Sequence, residues 1–324
     1  MSKTIIAVAD SVFPSLDPAK EALKDLNPEL RMSKDGSPEE ILKVAKDADA
    51  LLVTYAKITA EVINGMKKCR SIGRFGIGVD NIDIDAATKA GIVVNYVPDY
   101  CIDEVSDHAM ALLLALARKI TFSDRIVRDG RWEMPAVVPM NRLRGRTLGL
   151  AGFGKIPQCI VAKAQAFGIN VITFDPYVSE DALKKHNVKS VSFDELLAQS
   201  DYISVHAPLT PETENLFNAD AFKKMKNDAL LINTARGPLV NDKDLAAALD
   251  QGEIGGAGLD VVPVEPLPTD SPLLGRDNVI LTPHTGFYSE DALLELQTKA
   301  ASDVASVLQG KTPIYPVNPE ALKK

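Results

Sequence analysis

Short apolar runs alternate with amphipathic stretches along nearly the whole chain, and this alternation limits the folds open to it. Strands that are apolar throughout are buried on both faces, as parallel strands covered by helices are. Ten such runs are predicted strands: 4–8, 50–53, 72–77, 91–94, 147–151, 169–174, 201–205, 229–232, 257–262 and 278–281. Helical patterns lie between them, for example at 38–47, 59–67, 103–119, 155–167 and 241–250. The chain is therefore predicted to be an α/β protein with parallel sheets.

The number of strands indicates two sheets rather than one. Ten strands with their helices are more than one compact sheet commonly carries, and 324 residues suit two domains of ordinary size. The pattern breaks near 96–103 and again near 282–289, after which one helix over 290–308 closes the chain. We therefore expect two doubly wound units, one built from residues 1–100 and 287–324 and the other from residues 101–286.

Composition and charge disfavour several classes of protein. There are 36 Lys and Arg residues against 44 Asp and Glu, and the net charge of −8 argues against a nucleic-acid partner. Cys69, Cys101 and Cys159 include no C-x-x-C pair, so neither a disulfide framework nor a zinc site is indicated. The longest apolar stretch, 109–117, is far below the roughly 20 residues of a membrane span. Because the N-terminus also lacks a signal-peptide pattern, we expect a cytoplasmic protein with no membrane partner.

The clearest local motif is TLGLAGFGKIP, residues 147–157, in which an apolar run ends in G-F-G before a predicted helix. Glycines at such a turn let the backbone approach a pyrophosphate, which the helix N-terminus attracts. The candidate residues are Gly152, Gly154, Lys155 and Ile156. Pro157 replaces the third glycine of the dinucleotide motif; a first helical turn tolerates proline, although its effect on packing stays open.

Asp175 strengthens the dinucleotide interpretation. It follows the apolar run 169–174, about 20 residues beyond Gly154, where an acidic side chain binds the ribose 2′-hydroxyl. Neither Pro176 nor Tyr177 supplies an arginine for a 2′-phosphate, so NAD is favoured over NADP. Alone, the glycines fit any strand-to-helix turn, but with Asp175 they predict a Rossmann NAD-binding domain over residues 101–286.

Polar side chains follow three further predicted strands. Arg236 lies in NTARGPLV, Asp260 and Glu265 lie in LDVVPVEP, and His284 lies in TPHTG. In an open parallel sheet, ligands bind at the carboxyl ends of the strands. An acidic residue paired with histidine, with an arginine nearby, suits acid–base chemistry on a substrate that carries a carboxylate. Singly, each residue has an ordinary explanation as a surface charge, loop residue or helix cap, so the hypothesis depends on their joint position.

The other histidines and a group of aspartates are assigned different roles. His206, in HAPLTPET, also follows a strand and is a candidate to border the cofactor. His108 lies on the predicted helix 103–119, where a core or capping role is favoured over catalysis, and His186 is expected at the surface. The aspartates of GVDNIDIDA, residues 78–86, are better explained by helix capping than by a metal site, so no metal is predicted.

Several segments, taken in their order along the chain, resemble the D-isomer-specific 2-hydroxyacid dehydrogenase family, which includes phosphoglycerate dehydrogenases and hydroxypyruvate reductases. These segments are GIGVDNID, the G-x-G turn, HAPLTPET, NTARGPLV, the Asp260–Glu265 pair and TPHTG. Two stretches are most similar to the branch that contains the C-terminal-binding-protein corepressors and their enzymatic bacterial relatives: VPDYCIDEVSDHAMALLLALAR and TPHTGFYSE. Formate dehydrogenases, with glutamine where this chain has Glu265, are less similar. The resemblance implies a flavodoxin-like substrate domain formed by both chain ends, an inserted Rossmann NAD domain, and a homodimer.

The resemblance also implies roles for individual residues. His284 would exchange the substrate's hydroxyl proton while hydride passes between C2 and the nicotinamide, and Glu265 would orient His284 through a hydrogen bond. Arg236 would bind the carboxylate and polarise the C2 oxygen, and Asp260 would orient the nicotinamide carboxamide. The cofactor-binding set is Gly152, Gly154, Lys155, Ile156, Asp175, His206, Ala207, Pro208, Thr234, Ala235, Arg236, Asp260, His284 and Gly286.

The identity of the substrate is weakly encoded. The amides of Ile77 and Gly78 are implied to hold the second carboxylate oxygen. VTYAKIT, residues 53–59, matches the family loop at the substrate's far end, where Tyr55 and Lys57 are candidates. Lys57 would meet a phosphate or second carboxylate, or else face solvent. Glyoxylate, hydroxypyruvate and phosphoglycerate all remain open, and an NAD(H)-dependent protein-docking platform like the corepressors is the alternative to an enzyme.

Overall fold

The computed structural model describes residues 3–323, which form two compact units. One unit comprises the chain up to Tyr100 together with the segment from Ser289 onward, and the other comprises Cys101–Tyr288. The second break therefore lies just beyond the predicted one between residues 286 and 287. Both units are α/β with parallel sheets, so the predicted fold class is confirmed.

The first unit contains a five-stranded parallel sheet. Its strands are β1 (Ile5–Val8), β2 (Glu29–Met32), β3 (Ala50–Val53), β4 (Ser71–Arg74) and β5 (Val93–Asn95). Its helices are α1 (Asp17–Ala22), α2 (Pro38–Ala45), α3 (Ala60–Gly65), α4 (Ile84–Ala90) and, at the end of the chain, α12 (Glu290–Leu308). The order β2-β1-β3-β4-β5 is the flavodoxin-like order. The order reverses between β1 and β3, and ligands of such sheets bind at this reversal.

The last helix completes this first unit. α12 packs on β3, β4 and β5, and Gly73 of β4 lies under it. A Cβ at Gly73 would lie 2.7 Å from the Val304 side chain and 2.9 Å from that of Leu52, so only glycine lets the helix approach this closely. Asp83, one of the aspartates assigned to capping, accepts a hydrogen bond from the Ala86 amide at the start of α4, which confirms the interpretation for Asp83.

The second unit contains a seven-stranded parallel sheet. Its strands are β6 (Thr147–Ala151), β7 (Asn170–Phe174), β8 (Lys189–Ser190), β9 (Tyr202–Val205), β10 (Leu230–Asn233), β11 (Gly256–Leu259) and β12 (Val279–Leu281). Its helices are α5 (Ile102–Ala117), α6 (Ile120–Arg128), α7 (Lys155–Ala166), α8 (Glu180–His186), α9 (Phe193–Gln199), α10 (Ala219–Lys224) and α11 (Asp242–Gln251). The order β12-β11-β10-β9-β6-β7-β8 is the Rossmann order with one additional strand, and it reverses between β6 and β9.

Both faces of this sheet are buried. Leu231 belongs to one apolar cluster, which includes Leu245 of α11, and its neighbour Ile232 belongs to another, which includes Leu113 of α5. Successive side chains of a strand point to opposite faces, so β10 contributes to a core on each side. This is why the strand is apolar throughout.

Two strands, β2 and β8, lack the apolar run on which the strand prediction depends. Each lies at an outer edge of its sheet; β2 is only partly buried and β8 is exposed, so neither requires continuous apolar sequence. Two predicted runs are also shorter in the structure, since β4 ends at Arg74 and β11 at Leu259. Within residues 3–323, no helix combines the length and apolar character needed to cross a bilayer.

Candidate active site

The glycine-rich turn joins β6 to α7 at the reversal point of the second sheet. Gly152 has φ +103°, and a Cβ there would lie 2.8 Å from the carbonyl carbon of His206, so the turn after β6 touches the backbone that follows β9. Only glycine allows both this conformation and this approach. Apart from Gly154 itself and its neighbours in the chain, no described atom lies within 4 Å of the position that a Cβ of Gly154 would take.

α7 begins at Lys155, as predicted, and no side chain caps its N-terminus. Pro157 is buried at the third helical position, and the helix continues unbroken to Ala166. A proline there lacks only an N–H that has no partner within the helix, so this departure from the glycine motif does not disturb the turn. The uncapped N-terminus and the open space beside Gly154 fit a pyrophosphate.

Asp175 lies at the end of β7 and connects two loops. Its Oδ2 accepts a hydrogen bond from the Phe153 amide of the glycine turn at 2.8 Å, and its Oδ1 accepts one from the Tyr177 amide at 2.8 Å. Each carboxylate oxygen can accept a further hydrogen bond, so this geometry fits a ribose hydroxyl. The residues of this turn therefore fit NAD.

His206 follows β9 and borders the same turn. Its Nε2 lies 2.8 Å from the Ser204 hydroxyl, and burial lowers the pKa of its imidazole to about 3. The ring is therefore neutral near pH 7 and cannot act as a proton donor there. This agrees with the predicted place of His206 at the edge of a cofactor site; Ala207 and Pro208, predicted for the same site, follow it directly in the chain.

A tight turn after β10 presents Thr234, Ala235 and Arg236. The buried Asn233 side chain holds this turn by donating to the Arg236 carbonyl at 2.9 Å and accepting from the Ala235 amide at 3.0 Å. A Cβ at Gly237 would lie 2.0 Å from the carbonyl carbon of Val262. Because of this close backbone contact, the turn that bears Arg236 lies beside the segment that leads to Glu265.

His284 and Glu265 are in direct contact. The Nδ1 atom of His284 lies 2.7 Å from Oε2 of Glu265, whose Oε1 accepts a hydrogen bond from the Val262 amide at 3.2 Å. The side chain of His284 is 25% exposed, so a small molecule can reach it. Since an ionised carboxylate only accepts hydrogen bonds, Nδ1 of His284 is the donor in this contact.

Asp260 is 3% exposed and is surrounded by hydrogen-bond donors. Its Oδ1 accepts from the Thr282 hydroxyl at 2.6 Å and the Thr285 amide at 2.9 Å, and its Oδ2 accepts from the Gly286 amide at 2.8 Å. Burial alone raises the pKa of this carboxyl, but these donors, together with His108, outweigh burial and hold the pKa at about 2. Asp260 is therefore an anion at physiological pH.

Two neighbours of Asp260, His108 and Thr282, were not among the candidate site residues. The structure gives His108 a specific partner, since its Nε2 lies 2.8 Å from the Thr282 hydroxyl. Thr282 precedes His284 by two positions and carries no motif signal of its own beyond its place in TPHTG.

In the first unit, the loop that carries Tyr55 and Lys57 is fixed by Asp10. The carboxylate of Asp10 follows β1 and accepts hydrogen bonds from the amides of Thr54, at 2.8 Å, and Tyr55, at 2.6 Å. This places the loop at the reversal between β1 and β3. The Lys57 side chain is exposed. Asp10 is a further residue that the motifs did not reveal, although its place just after β1, at the carboxyl end of a strand, is where ligands of such sheets bind.

Ile77 and Gly78 follow β4 in the same unit. Within residues 3–323 the amides of Ile77 and Gly78 donate no hydrogen bond, which suits the predicted role of binding a carboxylate oxygen. The buried side chain of Arg74 precedes them, and its Nη1 would lie 1.0 Å from a Cβ at Gly76, whose φ is +150°. Gly76, which directly precedes these two residues in the chain, therefore makes room for a buried guanidinium.

Comparison with known proteins identifies the family. Residues 110–286 match the model of the D-isomer specific 2-hydroxyacid dehydrogenase, NAD binding domain. The chain is 37% identical to a glyoxylate reductase of Korarchaeum cryptofilum over 91% of both proteins. It is 40% identical to a D-3-phosphoglycerate dehydrogenase of Archaeoglobus fulgidus over 87% of this chain, and it spans only 54% of that relative's length.

A solved structure shows the same likeness. The D-lactate dehydrogenase of Aquifex aeolicus, complexed with NAD and lactic acid, superposes with a TM-score of 0.84 at 29% identity, covering 99% of this chain and 98% of that one. The predicted resemblance to the family is thus confirmed, whereas the similarity to the corepressor branch stays a prediction. The chain belongs to the D-isomer specific 2-hydroxyacid dehydrogenase family, an NAD-dependent family of oxidoreductases.

Proposed function

We propose that this protein is a D-2-hydroxyacid dehydrogenase that interconverts a small 2-hydroxy acid and the corresponding 2-keto acid with NAD as the cofactor. The observation that carries the proposal is the 2.7 Å contact between His284 and Glu265, at the carboxyl ends of strands of an NAD-binding domain. A histidine oriented by a carboxylate is the acid–base group that oxidation of an alcohol needs.

His284 is the proton-transferring residue in this proposal. Glu265 accepts the Nδ1 proton, so Nε2 takes the hydroxyl proton during oxidation and returns it to the C2 oxygen during reduction. Burial holds the pKa of His206 at about 3, so its imidazole is too weak a base to take the hydroxyl proton near neutral pH.

The other candidate residues bind and orient. Arg236 would hold the substrate carboxylate and polarise the C2 oxygen, and the amides of Ile77 and Gly78 would bind the second carboxylate oxygen. Asp260 would accept a hydrogen bond from the nicotinamide carboxamide, and Asp175 would accept one from the adenosine ribose. The bound nicotinamide supplies hydride transfer at C2.

The choice of acid depends on the loop fixed by Asp10. Tyr55 and Lys57 lie on it, and both side chains are exposed. We propose that these two residues contact the far end of the substrate, with Lys57 adding affinity for a phosphate or second carboxylate. The relatives act on different acids: one is named for glyoxylate and another for 3-phosphoglycerate.

We also propose that the protein is a cytoplasmic homodimer. The segment that follows α6 carries exposed apolar side chains, including Trp132, which is 88% exposed, Met134 and Val138. Exposed apolar groups clustered in this way are typical of protein–protein contacts. The three cysteines form no disulfide, which suits a reducing compartment. Light scattering of the purified protein after size-exclusion chromatography tests the dimer, and a monomer would contradict it.

The test of activity is NADH consumption with glyoxylate, hydroxypyruvate, phosphohydroxypyruvate, pyruvate, oxaloacetate and phenylpyruvate, with NADPH assayed in parallel. His284→Ala should lower kcat by about 10²–10⁴-fold, the usual contribution of a general acid–base group. Glu265→Gln should lower kcat less, because the amide still contacts His284 but lacks the charge. Glu253→Gln, which removes a charge before β11 at the opposite end of the strand, is the matched control and should leave kcat unchanged.

The outcomes separate the hypotheses. Wild-type rates in the folded His284→Ala variant would refute the role of His284, and faster turnover with NADPH would refute that of Asp175. If the protein binds NADH but reduces none of the acids, the proposal fails, and NADH-dependent capture of a protein partner would then support the docking-platform alternative.

A further inference from the structure

His284 has an unusual backbone conformation. Its φ is +54°, in the left-handed region that side chains with a Cβ rarely occupy. A residue holds this conformation only where the surrounding structure enforces it. The neighbours that enforce it here therefore also determine where the imidazole lies.

Asp260 supplies several hydrogen bonds that constrain this turn. Its main-chain carbonyl accepts a hydrogen bond from the His284 amide at 2.9 Å, and its carboxylate accepts hydrogen bonds from Thr282, Thr285 and Gly286, on both sides of His284. A Cβ at Gly286 would lie 2.8 Å from Oδ2 of Asp260, so glycine is needed for the turn to close on the carboxylate.

His108 extends this network to a different element. It lies on α5, which packs on β10, β11 and β12, and its Nε2 is 2.8 Å from the Thr282 hydroxyl and 3.4 Å from Oδ1 of Asp260. The Thr282 hydroxyl has one proton, which it donates to Asp260, so it accepts a hydrogen bond from Nε2–H of His108. The direction of each hydrogen bond is therefore fixed: His108 donates to Thr282, and Thr282 donates to Asp260.

We propose that His108 and Thr282 are positioning residues, which hold the turn of residues 282–286 against Asp260 and so keep His284 aligned with Glu265. The inference rests on the proposed function, because it assigns these residues to the alignment of that reaction's acid–base group. Neither residue needs to touch substrate or cofactor.

The same network fixes which oxygen of Asp260 is left for a ligand. Oδ1 accepts two hydrogen bonds, from Thr282 and Thr285, whereas Oδ2 accepts one, from Gly286. A carboxylate oxygen has two acceptor positions, so Oδ2 keeps one for the carboxamide assigned to Asp260 above. Thr282 therefore links the orientation of Asp260 to the position of His284.

The test compares the full-length Thr282→Val variant with Thr282→Ser, which keeps the hydroxyl. Thr282→Val should lower kcat on the order of 10- to 100-fold, as small displacements of a reacting group do. The Kd of NADH, measured by fluorescence, should change much less than kcat. Thr282→Ser should restore a kcat close to that of the wild type.

Two further variants control for folding. His108→Phe keeps the ring volume but removes the N–H donor, and it should lower kcat in the same direction if Thr282→Val does not fold. Ser200→Ala removes a buried hydroxyl that donates to the Leu196 carbonyl at 2.6 Å, near the amino end of β9, and it should lower stability without changing kcat.

A direct readout of alignment is the downfield NMR resonance of the His284 Nδ1 proton. It should be present in the wild type, Thr282→Ser and Ser200→Ala, and broadened or lost in Thr282→Val and His108→Phe. Folded Thr282→Val and His108→Phe proteins with wild-type kcat and an unchanged resonance would overturn the inference. If the wild type reduces none of the acids, the proposed function fails, and the resonance alone then decides whether the network positions His284.

Discussion

Replacement of Asp260 by asparagine removes a buried charge that the fold stabilises. The wild-type carboxylate accepts three hydrogen bonds from Thr282, Thr285 and Gly286, and His108 lies 3.4 Å from Oδ1. An asparagine side chain has one acceptor oxygen, and its NH₂ group would face donors. We expect Asp260→Asn to lower the free energy of unfolding by about 2–4 kcal/mol at pH 7.

The dependence of this loss on pH follows from the pKa of Asp260. The folded value is about 2 and the ordinary value is 3.8, so the ionised carboxylate contributes about 2.4 kcal/mol of stability at neutral pH. Because the pKa is depressed in the folded state, the carboxylate makes its full contribution to the free energy of unfolding well above pH 3.8. The contribution is lost as the pH falls towards 2. About half of it should be lost by pH 3.

The assay is urea unfolding of the wild type and Asp260→Asn at several pH values between 7 and 3. Circular dichroism is the suitable probe, since the single tryptophan, Trp132, is exposed in the folded protein. Other carboxylates titrate in both proteins, so the difference between the two free energies isolates Asp260. That difference should shrink by about 1 kcal/mol between pH 6 and pH 3. A constant difference would refute the view that these donors stabilise the anion.

Two further predictions concern the glycine turn and His206. Gly154→Ala should weaken NADH binding without lowering the midpoint temperature of thermal unfolding, because the added Cβ enters open space. Gly152→Ala should weaken NADH binding and also lower that midpoint temperature, because the added Cβ meets the His206 backbone. Equal midpoint temperatures for the two variants would contradict this. Burial lowers the pKa of His206 from 6.5 to about 3, so between these pH values the unfolded state binds more protons than the folded state. The free energy of unfolding should therefore fall on acidification, by up to about 1.4 kcal/mol per pH unit. His206→Gln should flatten that slope between pH 6 and 4, and an unchanged slope would contradict the assignment.

The fold was largely predictable because burial on two faces leaves a local mark. Strands such as β3 and β10 are continuous apolar runs, and α7 begins where its glycine turn predicts. β8 was not predictable in this way, since an edge strand of two exposed residues needs no apolar run.

The candidate site was predictable only in part. The polar residues after predicted strands included Arg236, Glu265 and His284, the resemblance to the family gave them individual roles, and the structure shows the last two in contact. His108 and Thr282 are separated by 174 positions, so no local pattern reports their contact.

The sequence by itself determined the α/β class, the strand ends that carry polar residues and the glycine turn before α7, because each depends on neighbours within one or two elements. Only the tertiary structure decided which polar residues meet. Asp10 fixes the loop of Tyr55 across 45 positions, and Asp260 fixes the turn that holds His284 in a left-handed conformation. Both contacts form because parallel strands bring their carboxyl ends to one edge of the sheet, and that proximity depends on strand order, which periodicity does not encode.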